Sequence, residues 1–124
     1  MRCYHVRTRR RADLSVLRRV PKLRRAAELK GARIVSCREH SHYPCGDAFA
    51  RPFYQAGYLP WNGSWLVGEN LAWSWRTSWG AFHALMHSPA HRANILHPAF
   101  RDFGVRQRSS PWGQLWVIHY GRRR

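Results

Sequence analysis

Histidine is the residue type in this chain that most invites chemistry: eight of them, at positions 5, 40, 42, 83, 87, 91, 97 and 119, occur in 124 residues. An imidazole changes charge near neutral pH and is a common ligand of divalent metals. His83 and His87 are four apart, so on a helix they share a face and can chelate zinc. The run His83-Ala84-Leu85-Met86-His87 lacks the glutamate of a hydrolytic zinc motif, however. The pair reads more simply as solvent-facing neighbours of the Trp79, Phe82 and Met86 stripe. Glu69 is more informative, because acids are scarce and this one lies between Gly68 and Asn70, just ahead of an apolar run. A carboxylate there needs a partner. His91, two residues past Pro89, falls in the first turn of an expected helix, whose positive end favours the neutral, metal-ligating imidazole. With His42 these residues supply two imidazoles and one carboxylate, the donor types of a zinc site that keeps a position open. No nucleophile-and-base pair is legible, so the expectation is a binding function and not catalysis, with metal-assisted hydrolysis the minor alternative. The bland reading of the trio is a buried polar cluster that satisfies its own hydrogen bonds.

These residues must be positioned by a mixture of helices and strands. Pro21 suits the first position of a helix that runs through Leu23, Ala26, Ala27, Lys30 and Ile34 with apolar residues at 3–4 spacing. That helix ends in the polar run before Pro44. A shorter helix is expected from Asp47 to Gln55, closed by Gly57, then a loop through Pro60, Asn62 and Gly63. Gly68 to Trp73 reads as a turn entering a short strand. Ser78 to His87 reads as a helix, and Ser88-Pro89 as the N-cap and first position of another through Asn94. Phe103–Val105 and Gln114–Tyr120, separated by Ser109-Ser110-Pro111 and Gly113, read as a β-hairpin. Helices precede strands without regular alternation, so the class is α+β. Residues 2–25 read as a basic surface with an apolar seam.

Composition narrows the function classes. With 22 Lys+Arg against 6 Asp+Glu the formal net charge is +16, yet the chain is 44% hydrophobic and contains seven tryptophans, enough apolar material for a core. One domain is expected at this length. No stretch has the roughly 18 continuous apolar residues of a membrane span, and the first residues lack the apolar core of a secretory signal. The charge points to polyanionic partners: nucleic acid, with members of the Trp61, Trp65, Trp73, Trp75 and Trp79 group as stacking platforms, or an anionic cell-surface polymer or lipid headgroups. Most of those tryptophans are more simply used in packing, which leaves nucleic acid as the less favoured reading. Cysteines stand at 3, 37 and 45. A Cys37–Cys45 disulfide and three reduced thiols are equally compatible with that spacing, with Cys3 unpaired in either case.

Four blocks carry a family resemblance. Gly68-Glu69-Asn70-Leu71-Ala72, Ser88-Pro89-Ala90-His91-Arg92-Ala93-Asn94-Ile95-Leu96, Phe103-Gly104-Val105 and Trp116-Val117-Ile118-His119-Tyr120-Gly121 resemble, in order and spacing, a bacterial CAP domain of the SCP-like type. His40-Ser41-His42 followed by Ala56-Gly57-Tyr58 resembles the family's Phe-Ser-His and Ala-Gly-Tyr block, and the likeness reaches from about Arg7 to Tyr120. The resemblance implies an α-β-α sandwich with a short antiparallel sheet, usually exported, and a cleft where histidines and acids can hold a divalent metal, often zinc. Carried over by position, the metal residues are His42, Glu69 and His91, with Asn70 and Ser88 beside them as ligand-binding residues. Ser88 stands where other members have a second acid, and Asp47 is the nearest alternative acid. The resemblance also favours the Cys37–Cys45 bridge, and with it export, an N-terminus truncated relative to the family, and a non-enzymatic module that receives a small or extended ligand in its cleft. Alanine at His42 or His91, or glutamine at Glu69, is then expected to weaken metal binding with little loss of stability.

Overall fold

The computed structural model describes residues 1–124. Its centre is a four-stranded sheet made of β1 (Arg18–Arg19), β2 (Trp65–Trp73), β3 (Asp102–Ser110) and β4 (Gly113–Arg123), in the spatial order β1-β3-β4-β2. The pairs β2–β4 and β3–β4 are antiparallel, and the two-residue β1 runs parallel to β3. Alternation along β4 explains why both sheet faces are covered. Leu115 and Val117 join Ala27 and Ile34 in one apolar cluster, whereas Trp116, Ile118 and Tyr120 join Phe82, Ile95 and Phe103 in another.

Helix α2 (Pro21–Cys37) covers the first face. Proline sits in its first turn, and Arg38 closes it in the left-handed conformation at φ 54°. Its buried residues are Leu23, Ala26, Ala27, Lys30, Gly31 and Ile34, the expected stripe with a lysine in it. Two glycines bring the layers together: a Cβ at Gly104 would lie 2.3 Å from the Arg24 backbone nitrogen, and one at Gly121 would lie 2.4 Å from the Tyr58 hydroxyl. Beyond α2, Cys37 and Cys45 form a disulfide that closes the loop carrying His42. Helix α3 is shorter than expected, Arg51–Gln55, because Pro52 takes its first turn and residues 47–50 form an irregular lead-in.

Helices α4 (Ser78–Met86) and α5 (Pro89–Ile95) lie on the other face. Thr77 caps α4 by accepting from the Gly80 N–H at 3.0 Å. The architecture is thus a mixed α+β sandwich of helices, sheet and helices. No helix is long and apolar enough to cross a membrane.

The N-terminal run departs from the sequence expectation. Residues Arg2–Arg11 form a helix, α1, whose buried face includes two polar side chains, His5 and Arg9. The Arg9 guanidinium is completely buried and donates to four carbonyls, those of Ser15 (2.8 Å), Ile95 (3.1 Å), His97 (2.8 Å) and Phe100 (3.2 Å). One planar fork thereby ties α1 to the end of α5 and the segment that follows it. His5 hydrogen-bonds the Met1 carbonyl at 3.0 Å and the Tyr120 hydroxyl at 2.8 Å. Apolar periodicity is blind to such a helix, because its inward face is held by hydrogen bonds as much as by hydrocarbon.

Replacing Arg9 with methionine keeps much of the volume and takes a donor from four carbonyls, of which those of His97 and Phe100 keep a second one. The expected loss is about 3 kcal/mol, read as a lower midpoint in urea or thermal denaturation; a variant as stable as the parent would show that α1 does not depend on this fork.

Candidate functional site

Glu69 lies in the middle of β2, directly across from His119 on β4. Its carboxylate is 4% exposed at the residue level and has three partners. His119 Nε2 donates to Oε2 at 2.6 Å, and His42 Nδ1 donates to Oε1 at 2.6 Å. The Lys30 ammonium, 2% exposed, stands 3.5 Å from Oε2 and also donates to the His42 carbonyl. Burial by itself would raise the Glu69 pKa. The hydrogen bonds from His119 and His42, with the charges of His119 and Lys30, outweigh it and hold the group at about 2. Lys30 moves down from the usual lysine value, chiefly through burial and against the pull of Glu69.

Strand alternation sends the next residue the other way. Asn70 is fully buried, and its amide donates to the His91 carbonyl at 2.9 Å and to the Tyr120 hydroxyl at 3.2 Å while accepting from Asn94 at 2.8 Å. Asn94 also donates to the Glu69 carbonyl at 3.1 Å. These bonds clamp α5 onto β2. His91 is therefore set beside this edge strand from one layer, and His42 from the other. The Asn70 side chain is spent entirely on this internal framework.

The two histidines are prepared in the same manner. Nδ1 of His42 is engaged by Glu69, and Nδ1 of His91 by the Ser88 hydroxyl at 2.8 Å. Ser88 caps α5 by position but not through its side chain, which is committed to His91. In each ring Nε2 is left as the free nitrogen. His91 is lowered from the ordinary imidazole pKa by burial and then by the neighbouring charge of His42; His40 is lowered by burial and then by His42 and His91. The charge of His42 thus disfavours protonation of both His40 and His91. His40 also packs edge-on against Trp73, with ring centroids 4.4 Å apart.

The structure brings His42, Glu69, Ser88 and His91 into one region but does not make the trio a ligand set. No group of three or more His, Cys, Asp or Glu side chains is arranged to hold a metal ion. Glu69 has both oxygens engaged and a lysine at its side, so it acts on His42 from behind. Asp47 is held outside the region by Arg33 (2.7 Å) and Arg51 (2.7 Å). His83 and His87 are exposed, with rings 4.2 Å apart and His87 Nδ1 bound to the His83 carbonyl. Trp61, Trp65, Trp75, Trp79 and Trp112 remain 39–54% exposed, more than a packing role predicts. Two members of the network escaped the sequence reading. Lys30 had a signal, a lysine inside an apolar helical stripe. His119 had one too, a polar residue in phase with Leu115 and Val117 on β4.

No family model matches this chain, and no curated protein matches it. Among solved structures it is similar to an outer surface protein of Borrelia burgdorferi, at 17% identity and a TM-score of 0.84, over 98% of this chain and 89% of that one. It is similar to an extracellular protein containing an SCP domain from Bacillus anthracis, at 20% identity and a TM-score of 0.79, over 96% of this chain. It is also similar to a cysteine-rich secretory protein from Staphylococcus aureus, at 14% identity and a TM-score of 0.74, over 94% of this chain. The latter two are longer proteins, of which the chain spans 38% and 35%. The fold is that of the bacterial CAP/SCP-like domain.

Two buried groups set the acid sensitivity of this framework. His5, whose pKa burial lowers to about 4, and Glu69, held at about 2, are both depressed relative to the unfolded chain. Each therefore contributes stability that is complete above its unfolded pKa and is lost as pH falls toward its folded value. Unfolding free energy should decline below about pH 6.5 through His5, and further below about pH 4.5 through Glu69. At neutral pH, Glu69→Gln leaves Lys30 buried without its counter-charge and should cost about 3 kcal/mol, contrary to the small effect expected from sequence. A Glu69→Gln variant as stable as the parent in urea at pH 7, or a flat stability profile from pH 7 to 3, would refute the buried network.

Proposed function

We propose that this chain is an extracellular, non-enzymatic binding module whose recognition centre is the histidine-lined region at the β2 edge. One observation carries the reading. His42 and His91 approach from opposite layers with Nδ1 already committed, to Glu69 and to the Ser88 hydroxyl, which leaves Nε2 of each ring free; donation to Glu69 gives His42 the tautomer a divalent metal accepts, and donation to the Ser88 oxygen would do the same for His91. Zinc fits imidazole donors. Two protein ligands leave the remaining positions to water and to an incoming ligand, small or extended. Glu69 serves by orienting His42, as carboxylates behind metal-bound histidines do. Export agrees with the Cys37–Cys45 bridge and with the outer-surface, extracellular and secretory descriptions of the similar structures. The non-enzymatic reading rests on the fold shared with the SCP-domain and cysteine-rich secretory structures.

A second reading, attachment to an anionic cell-surface polymer or lipid headgroups, is favoured by the exposure of Arg7, Arg10 and Arg11 on α1. Its signature is affinity that falls steeply with added salt.

Calorimetric titration with zinc at pH 7.5 should give one site per chain in the parent. That site should be lost in the His42→Ala/His91→Ala double variant, titrated at a temperature where it is folded because His42→Ala also takes a donor from the buried Glu69 carboxylate. Zinc binding of equal strength in the double variant, or none in the parent, would remove the metal from this reading.

A further inference from the structure

A cavity of about 460 Å³, lined by no histidine, opens between the start of α1, β1 and the first turn of α2. Its floor is apolar, formed by Val20, Pro21, Phe103 and Val105, and its charged lining is Arg2, Arg19 and Arg24. No acid lines it. The nearest acid in the sheet, Asp102, is 2% exposed and already bound by Arg18 at 2.9 Å and by the Tyr58 hydroxyl at 2.6 Å. Glu28, the first acid along α2, pairs with Arg25 at 3.0 Å. None of the three lining arginines forms a salt bridge; Arg2 is steadied by donating from Nε and one terminal nitrogen to the Leu17 carbonyl, at 3.1 and 2.8 Å.

The backbone adds to the same field. The cavity lies at the N-terminal end of the 17-residue α2, whose first turn has no acid and whose N-cap, Val20, offers no side-chain acceptor. The positive end of a helix dipole and three guanidiniums therefore converge on a concave space, with nothing in the protein to neutralise them. Such charge repels itself and is relieved by an anion of matching geometry; guanidiniums match phosphate through paired N–H donors. The apolar floor leaves room for more than an ion.

We propose that this cavity is a binding site for a phosphate ester, with the phosphate held by Arg19, Arg24 and Arg2 at the helix start and an apolar or planar group lying on Val20, Phe103 and Val105. The site is independent of the histidine region, so either can fail without the other.

Phenyl phosphate is the first probe, by calorimetry or amide chemical-shift titration, with inorganic phosphate alongside. The parent should bind phenyl phosphate more tightly than phosphate. Arg19→Gln/Arg24→Gln should weaken phenyl phosphate by at least about tenfold, with the thermal midpoint retained because both side chains are exposed. The charge-matched control Arg38→Gln/Arg76→Gln, at two exposed arginines that do not line the cavity, should bind it as the parent does. Glycerol 1-phosphate and monomeric dihexanoyl phosphatidic acid then separate a soluble from a lipid source, and a preference for either supports the site. Absence of phenyl phosphate binding to the folded parent, or equal loss in the control, would overturn the proposal.

Discussion

A carboxylate taken out of water must be matched on nearly every side, and the arrangement around Glu69 shows how much of this fold is committed to that end. Lys30 comes from α2, His119 from β4 and His42 from the loop closed by the Cys37–Cys45 bridge, and all three converge on one side chain of β2. An isolated buried charge is so costly that the elements carrying its partners cannot drift apart without penalty. The network thus fixes the relative placement of helix, sheet and loop. Its one imperfect member, the His119 Nδ1 that finds no partner, faces the cost of a single unbonded atom while that ring stacks on Phe53 with centroids 4.4 Å apart.

On the opposite face most of the work is done by neutral groups. His5, Tyr120, Asn70 and Asn94 form a continuous hydrogen-bonded chain from α1 through the sheet to α5. Arg9 reinforces it by binding the carbonyls that follow α5. The two faces meet at consecutive residues: Glu69 looks into one layer and Asn70 into the other. A strand's two-residue period makes that division unavoidable. It explains how one short segment both orients His42 and anchors the helix that carries His91. The charge network and the neutral network are therefore two supports of a single edge.

The same economy of acids shapes the surface. With six carboxylates in the chain, most of them engaged by buried or local partners, little remains to offset the arginines of α1 and of the α2 start. Net positive charge is a property of composition; its concentration around a concave space at a helix start is a property of folding. The histidine region and the arginine-lined cavity differ in this respect. One is internally balanced and offers lone pairs, and the other is unbalanced and offers donors.

Local rules made much of this legible from sequence. Proline at 21 and 89 marked helix starts, Phe103–Val105 and Gln114–Tyr120 marked a β-hairpin, and the blocks around Glu69 and His91 marked the fold. The Cys37–Cys45 spacing permitted a bridge without requiring it. What tertiary structure alone decided is the assignment of polar partners. Nothing local tells that Lys30 lies against Glu69, that His119 completes the carboxylate's shell, or that Arg9 is inside and Arg10 outside. Each of those pairings joins residues distant in the chain, and its free energy depends on burial that exists only once the layers have closed. Periodicity reports which face a residue takes; which group it meets there is set by the packing of the whole.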